Sequence, residues 1–107
     1  MSEYQTKNWT VFNGTDLSQI GDYNEIAISV WIPVQPGISS EVLYSGQFSK
    51  GQLDVNQRVF LNGGYYFTSA DYGICNLNII NNIVSLRNVF YDGKNFTSSA
   101  GLRIRYR

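Results

Sequence analysis

The sequence predicts an all-β protein, an antiparallel β-sandwich of jelly-roll-like character with about seven to eight strands on the spacing such architectures show. Composition is the first reason: the chain is rich in Tyr, Asn, Ser, Gly, Ile and Val and poor in the Ala, Lys and Glu that fill helix surfaces. Turn signals are the second, because short apolar runs are separated by Asn-Gly, Asn-Asn and Asp-Gly pairs with no helical period between them. The third is Glu25 to Val34, where Ile26, Ile28, Val30, Ile32 and Val34 recur at every second position. Period-two spacing puts those side chains on one face of a sheet and Ala27, Ser29 and Trp31 on the other.

Taken in order, Trp9 to Phe12 reads as a first strand ended by Asn13-Gly14. Asp16 to Ile20 has Leu17 and Ile20 spaced for one helical turn or a short irregular strand, and reads as a connection. The long strand follows, with Pro33 near its end because proline donates no ladder hydrogen bond. Glu41 to Phe48 sets Val42, Tyr44 and Phe48 against Leu43, with a bulge or bend expected at Gly46. Gln57 to Leu61 and Tyr65 to Ser69 flank Asn62-Gly63-Gly64, which predicts a hairpin. Tyr72 to Ile80 and Ile83 to Tyr91 flank Asn81-Asn82, a second hairpin, and Asp92-Gly93 adds another turn. The last strand, Gly101 to Tyr106, alternates Leu102, Ile104 and Tyr106 with Arg103, Arg105 and Arg107.

No repeat, linker or low-complexity stretch divides the 107 residues, so residues 1–107 read as a single domain. Cys75 is the only cysteine and there is no histidine, so an internal disulfide is impossible and the usual zinc and copper sites lack their commonest ligand. No cofactor or metal is expected. The formal net charge is zero, which argues against nucleic-acid binding and polybasic membrane attachment. The start of the chain has no apolar run, so neither a signal peptide nor a membrane span is expected. Asn8-Trp-Thr, Asn13-Gly-Thr and Asn95-Phe-Thr match the glycosylation pattern, read here as by-products of an Asn- and Thr-rich chain.

An enzyme is not expected. Nucleophilic hydrolysis usually needs a base, most often histidine. Asp54, Asp71 and Asp92 lie in turn-like stretches where aspartate bonds its own backbone, and Cys75 sits in a strand-like run as an inert buried thiol. Two features suggest surface recognition instead. Tyr65, Tyr66 and Tyr72, with Phe67, form an aromatic cluster suited to sugars or protein, although part of any such cluster belongs to the core. Arg103, Arg105 and Arg107 project from one strand face about 7 Å apart. That row is either a solvated, aggregation-resistant face or a subunit interface, and Trp31 marks a further covered or subunit-contacting surface.

The order of these features resembles a family. Trp9, then Thr15-Asp16-Leu17, the Asp22-Tyr-Asn-Glu-Ile entry to the alternating strand, the late Tyr72-Gly and Asp92-Gly turns and the terminal Arg-Ile-Arg-Tyr-Arg strand look like the small β-domains that end phage and prophage tail-fibre or baseplate proteins. Those domains usually follow a fibrous shaft, which this sequence does not contain. The resemblance implies a virion-associated β-sandwich made in the bacterial cytoplasm. It also implies a homo-oligomer, commonly a trimer, contacting host-surface saccharide or protein or another tail protein, and it transfers no catalytic residue. A free-standing carbohydrate-binding module, with Tyr65, Tyr66 or Tyr72 stacking on sugar rings, is the alternative expectation.

Overall fold

A computed structural model of the protein describes residues 8–33, 42–63 and 73–107. The strands among the described residues are β1 (Thr10–Phe12), β2 (Glu25–Ile32), β3 (Val42–Ser49), β4 (Gln57–Gly63), β5 (Gly73–Ile80), β6 (Ile83–Tyr91), β7 (Lys94–Asn95) and β8 (Gly101–Tyr106). All pairings are antiparallel, and the eight strands form one sheet in the order β1-β8-β2-β3-β4-β5-β6-β7. That order is a meander from β2 to β7, with β8 returning between β1 and β2 rather than through the interleaved connections of a jelly roll.

The sheet is continuous but narrow at one point. β2 and β3 pair along their whole lengths, whereas β3 meets β4 only at Tyr44–Gly63 and Ser45–Asn62. There the sheet folds back on itself. Residues 96–100 link β7, at the far end of the order, to β8, its second strand. In a flat sheet those strands would stand about 29 Å apart at ~4.8 Å per strand, more than so short a connection spans. The Tyr44 hydroxyl on β3 also donates to the Phe90 carbonyl on β6, strands that a flat sheet would hold about 14 Å apart. The segment after β1 closes the fold, because the Leu17 amide donates to the Asn82 carbonyl (2.9 Å) and the Val84 amide to the Thr15 carbonyl (2.8 Å).

One core results. Ile26, Ile28, Val30, Ile32, Val42, Tyr44 and Ile104 come from the first half (β1, β8, β2, β3), and Val59, Leu61, Cys75, Leu77, Ile79, Val84 and Val89 from the second. Leu17 in the 3₁₀ turn Leu17–Gln19, then Ile20 and Phe96, complete it. Asp16 caps that turn, its Oδ1 accepting from the Ser18 amide (3.0 Å) and hydroxyl (2.6 Å).

The turn chemistry is as the sequence implies at β5–β6, where Asn81 and Asn82 have φ of 50° and 68°, and at β6–β7, where Asp92 and Gly93 have φ of 52° and 74°. Left-handed backbone at both central residues matches the twist of paired strands. Two local expectations are corrected. Gly46 is no bulge, since the β2–β3 register runs through it unbroken from Ile28. A Cβ there would stand 3.0 Å from Leu61 Cδ2 and Phe48 Cζ, so glycine serves a close approach. Asn62 and Gly63 are not a hairpin turn either: they extend β4 and are the residues that reach β3. The expected strand at Tyr65 to Ser69 lies outside the described residues.

The bulge is in β6. The register passes from Asn76–Asn88 to Leu77–Leu86, leaving Arg87 unopposed. Strict alternation from Val84 and Leu86 would turn Asn88 inward, and the extra residue reverses that parity so that Val89 and Tyr91 face the core.

Candidate functional site

The core takes Ile26, Ile28, Val30 and Ile32, so the remaining β2 side chains face away from it, and antiparallel register decides what they meet. Ser29 pairs with Arg103 and Ser45, and Trp31 with Gly101 and Leu43. Ala27 pairs with Arg105 and Gln47, and Arg105 with Val11 on β1. The outer face of the first half is thus a carpet of arginines, serines and one tryptophan, and Ala27 is buried within it.

Trp31 is held by a missing side chain. A Cβ on Gly101 would fall 2.1 Å from indole Cζ2 and 2.2 Å from Cε2, so the indole lies across the glycine backbone. Glycine opposite an aromatic exchanges lost strand propensity for that contact. The Arg103 guanidinium sits 5.6 Å from the indole centroid, within cation–π range. Ser29, Trp31, Leu43, Arg103 and Arg105 line an open depression of about 410 Å³. A second depression of similar size adjoins it along β1 and the Asn13–Thr15 turn, sharing Trp31 and Arg103. Arg105 Nε is buried and has no hydrogen-bond acceptor among the described residues.

The arginine row does not act as one unit. Arg107 is engaged within the chain: its Nη2 lies 3.1 Å from Glu25 Oε1, its Nε donates to the same oxygen (3.1 Å), and its guanidinium stacks 4.2 Å from the Trp9 ring centroid. Arg103 and Arg105 have no such carboxylate among the described residues, which leaves two cationic groups beside the exposed part of the indole. Trp31, Arg103 and Arg105 are therefore brought together, with Arg107 beside them as part of the scaffold. Tyr65, Tyr66 and Tyr72 lie outside the described residues. Leu43 and Ser29 were missed by sequence reasoning, although Leu43 stands out as the apolar residue opposed to Val42 and Tyr44 in the β3 pattern.

The outer face of the second half is different. Phe60 on β4 is opposite Asn76, and Ile74 opposite Phe90, while Ile80 and Ile83 face each other beside the β5–β6 turn. Phe60 is 65% exposed, and Ile74, Ile80 and Ile83 are about half exposed. Asn76 is buried in this surface, and its Oδ1 has no partner among the described residues.

Elsewhere the chemistry is quiet. Burial pushes the Cys75 thiol up to about 12, so it stays protonated at neutral pH. The Tyr44 phenol is raised in the same sense, first by burial and then by Cys75 and Tyr91. Asp54 and Asp92 are exposed, and Asp92 occupies a turn. Among the described residues no group of His, Cys, Asp or Glu is arranged to hold a metal ion, and no helix is long and apolar enough to cross a membrane. No family model matches the chain, nor does any curated protein or solved structure.

Proposed function

We propose that the protein is a non-catalytic recognition domain of the kind that ends phage tail fibres or baseplate proteins, meeting its partner with the outer face of β8, β2 and β3. The depression bounded by Trp31, Arg103 and Arg105 carries this reading. An indole seated on the sheet beside two arginines without acidic partners is a surface prepared for a contact that the described residues do not supply. The protonated thiol of Cys75 and the exposed placing of Asp54 and Asp92 support a role without turnover. The order of sequence features supports the virion setting.

In this reading the domain works as a homo-oligomer, with a trimer favoured. Exposed apolar side chains on the outer face of the second half, Phe60 near Ile74 and Ile80 opposite Ile83 at the β5–β6 turn, support self-association, because exposed apolar surface on a small domain marks contact sites. Native mass measurement and light scattering at high micromolar concentration test it. A discrete oligomer, weakened by Phe60→Ser, is expected, and a strict monomer counts against assembly. A free-standing carbohydrate-binding module is the second reading, favoured by the same depression, whose volume lies within the ~300–1,000 Å³ of small-ligand sites. A monomer that binds glycans through Trp31 would select it.

A further inference from the structure

Resting on the reading of this face as the recognition surface, we infer that its ligand is a carboxylate-bearing saccharide, a uronic or sialic acid unit, with its ring on the Trp31 indole and its carboxylate between Arg103 and Arg105. Charge complementarity chooses the acidic sugar over a neutral one. Arg103 and Arg105 line the depression and have no carboxylate partner among the described residues. A ligand carboxylate placed there gains charge-assisted bonds from both guanidinium groups that a neutral hydroxyl supplies less strongly.

The indole chooses a ring over a bare anion. Gly101 lies beneath Trp31, so the indole rests on the sheet and lines the depression beside the Arg103 guanidinium, with Leu43 extending the apolar floor and Ser29 adding a hydroxyl. The C–H face of a pyranose matches that floor, and an acidic pyranose carries its carboxylate within a few ångströms of that face. Acetate or phosphate has no ring to use it. The sheet also chooses against an extended acidic peptide. At Ser29–Trp31 the strand β2 is paired on both sides, by β8 and by β3, so the depression has no free backbone edge on which a peptide strand would add.

The test is a titration of the isotopically labelled protein with 3′-sialyllactose and tri-galacturonate. Lactose, a Glu-rich peptide and sodium acetate serve as comparisons, and the Trp31 indole N–H and the Arg103 and Arg105 Nε–H signals are followed. At least one acidic saccharide is expected to bind at least tenfold more tightly than lactose and to weaken several-fold between 50 and 300 mM salt. Arg103→Gln, at an exposed position, is expected to lower that affinity at least tenfold with the rest of the spectrum unchanged. Trp31→Leu is expected to do the same, its fold verified by the amide spectrum.

Equal binding of lactose overturns the inference, as does an equal response to acetate at the same concentration. If only the Glu-rich peptide binds, and Arg103→Gln abolishes that binding, the ligand class is wrong while the face remains the recognition surface. If no probe moves the Trp31 and arginine signals, the inference fails. If Arg103→Gln and Trp31→Leu also leave every partner contact unchanged, the reading of the face fails with it.

Discussion

The two halves of this sheet bury the same kind of core and turn opposite chemistry outward. Inward, β2 and β8 supply Ile, Val and Leu at every second position, and β5 and β6 do likewise once the bulge at Arg87 has reset the parity. Outward, the first half is cationic and organised: Arg107 is fixed by Glu25 and Trp9, Trp31 rests on Gly101, and Arg103 and Arg105 stand beside it. The second half is apolar and amide-rich, with Phe60, Ile74, Asn76 and Phe90 adjacent in register. Core formation constrains only one residue in two along a strand, so the other set is free to specialise. Here each half has specialised separately, which makes the difference testable residue by residue.

The largest effect is expected where the halves are joined. Tyr44 is fully buried, packs in the shared core and ties β3 to β6 through its hydroxyl. Tyr44→Ala should cost about 3–5 kcal/mol in urea unfolding, as large-to-small changes of buried aromatics do. Tyr44→Phe keeps the ring, frees the Phe90 carbonyl and should cost about 1–2 kcal/mol. If Tyr44→Ala instead produced two separate unfolding transitions, the halves would be independent units and the single-core description would be wrong.

Next is Gly101, on the organised face. Gly101→Ala places a methyl where the indole lies, so Trp31 must leave the sheet. A loss of about 1–3 kcal/mol is expected, the usual cost of overpacking. The Trp31 emission should shift to longer wavelength in a Trp9→Phe background, and the depression should disappear. An unchanged emission would mean that the glycine does not position the indole.

Smaller again is the β5–β6 turn, which brings the second half against the first through Leu17 and Thr15. Asn82→Ala must hold φ of 68° with a Cβ that disfavours it, at a cost of about 1–2 kcal/mol. Asn82→Gly should be nearly neutral in thermal unfolding. Equal losses in both variants would point to the side-chain amide rather than to the backbone.

What the sequence made legible follows these same distinctions. The β2 alternation and the paired-Asn turn were readable because a period of two and a positive φ leave their mark in single residues and dipeptides. The fold-back at β3–β4 was not readable, since Asn62-Gly63 carries the signature of a turn and only tertiary pairing draws it into a strand. Nor was the bulge: Leu86-Arg87-Asn88-Val89 breaks alternation in a way that a strand end would also produce. Of the candidate face, Trp31 and the arginines were visible as types, because a large aromatic beside Ala27 and Ser29 and arginines at spacing two are unusual. Their convergence depends on the return of β8 beside β2, and Arg107 is separated from its neighbours by a carboxylate 82 residues away in sequence. Such long-range partners leave no local trace.

The smallest effects on stability should give the sharpest division between the halves. Phe60 and Arg103 are both exposed on outer faces and away from the core, so Phe60→Ser and Arg103→Gln should each change unfolding free energy by no more than about 0.5 kcal/mol. Their functional consequences should not overlap. Phe60→Ser removes the largest exposed apolar side chain among the described residues of the second half and should lower the associated fraction in light scattering while leaving saccharide titrations intact. Arg103→Gln removes one of the two cations beside Trp31 and should reduce the salt-dependent part of ligand affinity while leaving the mass distribution as it is. A substitution that moved both readouts would mean that ligand and neighbouring subunit share one surface, and the apolar and cationic faces would then have to be understood as two sides of a single interface.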